Sequence, residues 1–193
     1  AVRPPSPRGD YVAAHWAQPL DLDLLIRQHA AFVDLLTGLG CEVVVLDPAE
    51  EMPDACFVYD PAFVVPDGVI ELRAAKAVRA GEPPLLAQQL VDLGVPLAGR
   101  LEAPATADGG DMFWLDDRTL AVGRSYRTNQ AAVDQLTSLL EPMGVRVNGY
   151  DLPHDLGPEY CLHLMSVVSP VRDDLAVVYE RLAPVALLQD LQA

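Results

Sequence analysis

The sequence predicts an α/β fold built from repeated ββαβ units, and three observations predict it. A helical stretch, a glycine followed by an alternating strand, and a polar junction leading into a hairpin recur three times along the chain. The polar junctions fall at Asp54, Asp108 and His163, spaced 54 and 55 residues apart. Hydrophobic residues form 51% of the 193 residues against 21% charged, so there is enough apolar area to offset the entropy of ordering the chain.

Each element follows from local pattern. Helices are predicted near Asp21–Leu39, Pro83–Leu93 and Asn129–Met143, and each closes on Gly40, Gly94 or Gly144, the residue favoured just past a helix end. Alternating strands follow as CEVVVLD from Cys41, VPLAGRLE from Val95 and VRVNGYDL from Val145. Hairpins are predicted with turns at Pro66-Asp67-Gly68, Asp116-Asp117 and Arg172-Asp173. His163 falls within the apolar run Tyr160 to Val168, read as a strand. A last helix begins near Pro184, with no strand after it, so about three and a half units are expected in one domain spanning 1–193. One unit alone leaves an apolar face bare, so the units should pack side by side around a shared axis on which the junctions converge.

Acids outnumber bases 28 to 13, a net charge of −15, which disfavours nucleic acid and anionic membrane surfaces as partners. The longest stretch free of charged residues runs only from Tyr160 to Val171 and contains Pro170, too short to span a bilayer. The opening AVRPPSPRGD has no apolar core of a signal peptide, and three widely spaced cysteines suit reduced thiols, so a cytoplasmic location is expected.

The junctions concentrate acids. Asp54 and Asp60 flank Phe57, and Asp108 and Asp111 flank two glycines. Clustered carboxylates repel one another unless a cation neutralises them, and a planar guanidinium matches paired carboxylates bidentately. A hard metal ion on Asp108 and Asp111, or the pair Cys161 and His163, is the rival, but no His-x-His or Cys-x-x-Cys spacing supports it, so neither metal nor cofactor is expected. His163 shares the phase of Asp54 and Asp108 and is the candidate for proton transfer; His15, His29 and His154 lack that phase. Among the few bases, Arg73 and Arg127 are placed to take a substrate carboxylate, whereas Lys76 and Arg79 read as helix-end and turn solvation.

Four segments, PDACFVYD, the DGGD box with its hairpin, GRSYRTNQ and CLHLMS, stand in order over roughly residues 35 to 180. Together they resemble the dimethylarginine dimethylaminohydrolase branch of the guanidino-group modifying superfamily, which also contains arginine deiminases and amidinotransferases. The resemblance implies the pentein-type α/β propeller of five ββαβ units, about 270 residues for a closed ring. It implies that Asp54, Phe57 and Asp60 line a guanidinium pocket, that Asp108 is the acid beside the reacting carbon, and that His163 is the general acid and base. Arg73 and Arg127 would hold the substrate α-carboxylate. The implied reaction is thiolate attack on the guanidinium carbon, loss of an amine, and hydrolysis of the thiouronium to a ureido product such as citrulline.

The sequence also departs from the family pattern. The family nucleophile lies in the last unit, and none of Cys41, Cys56 or Cys161 is in the matching place, so these 193 residues are expected to be inactive alone. Tyr59 stands where relatives often carry an acid, and Met165 where a lysine is common. Amidino transfer to an amine, deimination of arginine, and a non-catalytic role like that of the ribosome anti-association factors are the alternatives. The presence of Asp54, Asp60, Asp108 and His163 together argues against the last. A small guanidino molecule is the expected ligand, and an open sheet edge suits pairing with another copy of the chain.

Overall fold

The computed structural model describes residues 1–16, 20–153, 156–158 and 160–192. Three hairpins organise them: β1 (Ala62–Val65) with β2 (Gly68–Glu71), β4 (Met112–Asp116) with β5 (Thr119–Arg124), and β7 (Val168–Arg172) with β8 (Leu175–Val178). Two of these gain a third, parallel strand after a helical crossover. Helix α2 (Glu82–Asp92) returns the chain to β3 (Leu97–Arg100) beside β2, and α3 (Gln130–Leu140) returns it to β6 (Arg146–Asp151) beside β5. The sheet orders β1-β2-β3 and β4-β5-β6 are thus the repeated unit, and β7-β8 followed by α4 (Val185–Asp190) is its third occurrence.

The helices begin and end where capping chemistry directs. Asp21 caps α1 (Leu22–Gly38) by accepting from the Leu24 amide at 2.9 Å, and Asn129 caps α3 by accepting from the Ala132 amide at 3.0 Å. Gly40, Gly94 and Gly144 all adopt left-handed φ of +73° to +89°, the conformation that lets the chain turn from a helix into the following segment.

Packing shows the period of two that the middle hairpin promises. Met112, Leu120 and Val122 enter a core with Phe63, Ile70, Leu72 and the inner face of α3. Phe113 and Ala121, one residue out of phase, enter a second core with Leu164, Val168 and Leu187 of α4. The second sheet is therefore buried on both faces and joins the first unit to the third. A third cluster of Leu46, Ala62, Val69 and Leu86 seats α2 on the first sheet.

Several expectations change. The run from Cys41 to Asp47 is not a ladder strand: among the described residues its bridge is a single parallel pairing of Val45 with Val2. A strand needs a partner along its length, and Val2 offers one position. His163 does not lie in a strand either; β7 starts only at Val168. The middle and last hairpin turns close one residue later than predicted, at Asp117-Arg118 and Asp173-Asp174. No residue of α1 is fully buried, and Phe32, Leu35 and Leu39 are exposed.

A cavity of about 1230 Å³ opens between the far ends of β1, β4 and β7, lined by Val64, Trp114, Val171, Leu175 and the charged hairpin turns. None of the candidate chemical residues lines it. They lie where those three strands begin. No helix among the described residues is long and apolar enough to cross a membrane.

Candidate active site

Each polar junction is a short 3₁₀ turn set before the first strand of its hairpin: Pro53–Cys56, Gly109–Asp111 and Leu164–Ser166, the last preceded by His163. The turns are joined to one another by backbone amides. Gly109 donates to the Asp60 carbonyl at 2.9 Å, Gly110 donates to Asp60 Oδ1 at 3.1 Å, and Leu164 donates to Asp111 Oδ1 at 3.0 Å. Gly109 is required here because a Cβ would stand 1.9 Å from the Tyr59 carbonyl oxygen. Residues far apart in sequence therefore meet. Donor atoms of Asp60, Asp108 and His163 lie within 4.8 Å of one another.

Two buried arginines balance the acids. Arg79 Nη1 donates to Asp60 Oδ2 at 2.8 Å, its Nε and Nη2 grip both oxygens of Glu82 at 2.7 to 3.1 Å, and Asp54 and Asp108 lie 3.9 Å away. Burial works against the charge on Arg79, but the hydrogen bonds and charges of Glu82 and Asp60 prevail and raise its pKa, so it is a permanent cation. Arg127 Nη1 donates to Asp108 Oδ2 at 2.8 Å, with its side chain 9% exposed. Burial raises the Asp108 pKa, Asp60 adds to that, and both arginines and His163 oppose it.

Asp54 faces a different neighbour. Its Oδ1 accepts from the Trp16 indole at 2.8 Å, and Trp16 stacks on Phe57 with centroids 5.9 Å apart and planes 25° apart. Phe57 remains 49% exposed, an aromatic wall at the mouth of the acidic cluster. Arg73 is not drawn into the cluster. Its exposed side chain donates to the Ala105 carbonyl at 3.0 Å, and its backbone bridges to Ala107. Arg79, read from sequence as solvating a helix end, occupies the interior instead. Its signal was the spacing to Glu82, an i, i+3 ion pair at the start of α2. Trp16 has no such signal. His15 is exposed, His29 lies part-buried on α1, and His154 lies outside the described residues.

Burial alone would lower the His163 pKa, but Asp111 and then Cys161 push it up to about 10 from the ordinary 6.5. A value raised in the folded state means that the proton stabilises the fold fully below about 6.5, and that this contribution is lost as pH rises through about 10. The urea midpoint of the wild type is expected to fall across that window more steeply than that of His163→Gln. Parallel pH profiles in circular dichroism would contradict it.

Chemically, the carboxylates of Asp54, Asp60, Glu82, Asp108 and Asp111 outnumber Arg79, Arg127 and His163, so the cluster favours a further cation. Asp60, Asp108 and His163 could offer oxygen, oxygen and nitrogen to a metal, but Arg79 Nη1, 2.8 Å from Asp60 and 3.9 Å from Asp108, already supplies a cation that an ion there would compete with. A planar organic cation suits the remaining oxygen edges better.

Repeated ββαβ units whose junction turns bring paired acids and a histidine together form an α/β fold shared with solved dimethylarginine dimethylaminohydrolase and ArgZ structures. The chain belongs to the dimethylarginine dimethylaminohydrolase family: residues 20–185 match the family described as N,N dimethylarginine dimethylhydrolase, eukaryotic. It is 33% identical over 178 residues to an N(G),N(G)-dimethylarginine dimethylaminohydrolase of Streptomyces coelicolor, covering 91% of this chain and 66% of that one. It is 29% identical to the Pseudomonas aeruginosa protein of the same name, covering 69% and 52%. A solved P. aeruginosa dimethylarginine dimethylaminohydrolase in complex with citrulline superposes with a TM-score of 0.78 at 23% identity, over 92% of this chain and 67% of that one. The N-terminal domain of ArgZ, a cyanobacterial arginine dihydrolase, shares the fold with a TM-score of 0.77 at 17% identity, over 89% and 60%. The chain thus spans two thirds or less of the length of the curated relatives named here.

Proposed function

We propose that this chain forms the guanidino-binding and proton-transfer part of an amidine hydrolase that converts a methylated arginine, or an arginine-like guanidino substrate, to citrulline plus an amine. The observation that carries the reading is the meeting of Asp60, Asp108 and His163 within 4.8 Å. The substrate guanidinium lies against the two carboxylates, beside Phe57, with Asp54 closing the acidic side. Arg127 is the candidate for the α-carboxylate, with Arg73 nearer the surface.

In the proposed reaction a cysteine thiolate adds to the guanidinium carbon and forms a carbon–sulfur bond. The carbon–nitrogen bond to the amine then breaks, with the proton supplied by His163. Water, giving its proton back to His163, adds to the thiouronium carbon, and the carbon–sulfur bond breaks to release the ureido product and the thiolate. Neither Cys41, on an exposed stretch, nor Cys56 suits the nucleophile. Burial and then Asp54 push the Cys56 thiol up to about 11, so it is protonated at neutral pH. Cys161 is exposed and adjacent to His163 in the chain fold.

Isothermal titration of the 193-residue chain with citrulline and with dimethylarginine tests the reading. Binding is expected, weakened at least about tenfold by Asp60→Asn through loss of a charge-assisted pair. Absence of heat with every guanidino and ureido amino acid would sink it. In a colorimetric ureido assay the same sample should release no citrulline, and turnover abolished by Cys161→Ser would show instead that this chain carries its own nucleophile.

A further inference from the structure

Asp111 is the most enclosed acid of the cluster, with no solvent exposure, and the proposed reaction leaves it without a task. Its carboxylate is nevertheless held from four directions. Ser125 Oγ and Thr128 Oγ1 each donate to Oδ2 at 2.7 Å, the Leu164 amide donates to Oδ1 at 3.0 Å, and His163 Nδ1 stands 3.3 Å from Oδ2. Nδ1 is buried and makes no hydrogen bond of good line among the described residues, so Asp111 is its neutralising neighbour through charge. Asp108, by contrast, is engaged by Arg127 at 2.8 Å and approached by Arg79 at 3.9 Å.

We propose that Asp111 is the positioning residue for His163: its buried, fixed carboxylate turns Nδ1 inward and keeps the imidazole protonated for donation to the leaving amine. Gly110 completes the cradle. A Cβ there would stand 2.7 Å from His163 Cδ2, so the ring packs directly over the backbone that carries Asp111. Ser125 and Thr128, three apart in the loop before α3, fix Oδ2, and the Leu164 amide fixes Oδ1, so that the carboxylate does not turn away when the proton leaves. The groups facing the imidazole are therefore Asp111 behind it, Asp60 and Asp108 within 4.8 Å, and Cys161 two residues before it. Of these Asp111 alone is in ion-pair contact with the imidazole.

The inference rests on His163 being the proton donor in the reading above, but its test needs no turnover, so the two fail separately. Nitrogen-15 imidazole spectra of the whole chain are recorded against pH, with the His163 signals assigned through His163→Gln. In the wild type His163 should remain an imidazolium at pH 8. Asp111→Asn should lower the His163 midpoint by about 1–3 pH units, whereas Asp108→Asn should move it less. A neutral His163 in the wild type at pH 8 would overturn the inference without any variant. A folded Asp111→Asn protein with an unchanged midpoint would overturn it equally.

Discussion

Replacement of Arg79 by methionine is expected to lower the stability of the fold by about 3–5 kcal/mol, the range for removing one partner from a buried charge network. Methionine fills much of the same volume, so packing alone would predict far less. The loss comes from Asp60 and Glu82, which keep their burial and lose the donors at 2.7 to 3.1 Å, and from Asp54 and Asp108 at 3.9 Å. Arg79→Lys should fall between the two, because an ammonium keeps the charge but not the fork that holds Glu82 and Asp60 together. Urea denaturation followed by circular dichroism reads the effect. A methionine variant as stable as the wild type would mean that the acids find other partners.

Gly109→Ala should disrupt the site more than its single methyl suggests. The added Cβ would stand 1.9 Å from the Tyr59 carbonyl oxygen and 2.9 Å from its carbon, both backbone atoms that no rotamer change can move. The two junction turns must separate, and the bonds from Gly109 and Gly110 to Asp60 stretch with them. Overpacking of this kind costs about 1–3 kcal/mol or more, and ligand affinity should fall further because Asp60 and Asp108 no longer share one face. Gly40→Ala is the informative comparison, since no atom lies within 4 Å of its Cβ position and only the backbone conformation is strained. Equal loss of affinity in the two variants would argue that spacing of the turns is irrelevant.

Much of the architecture was legible because it rests on period. Helices closed at Gly40, Gly94 and Gly144 and hairpins followed, while the even interval of Asp54, Asp108 and His163 pointed to turns of which Asp60, Asp108 and His163, not Asp54, come within 4.8 Å of one another. What the pattern missed has a physical reason in each case. CEVVVLD alternates like a strand, but a strand exists only with a partner, and pairing is not encoded in the segment itself. The run through His163 reads as apolar strand because a single 3₁₀ turn, Leu164–Ser166, changes the path without changing the composition. Arg79 looked like a solvated helix end because sequence gives no depth, and its burial depends on Asp60 arriving from another turn. Arg73 showed the converse: its place after the hairpin is as expected, while its guanidinium turns to Ala105.

Among the described residues no ladder joins the three sheets, and the isolated bridge between Arg73 and Ala107 is the link between the first two units at the strand ends. The sheets otherwise meet through the cores and through the amides of Gly109, Gly110 and Leu164. A partial opening that releases any one sheet therefore dissolves the constellation even while the other two persist, and competence becomes a readout of cooperativity rather than of local order. Hydrogen exchange at those three amides would then mark the threshold between a merely folded chain and one able to hold a ligand.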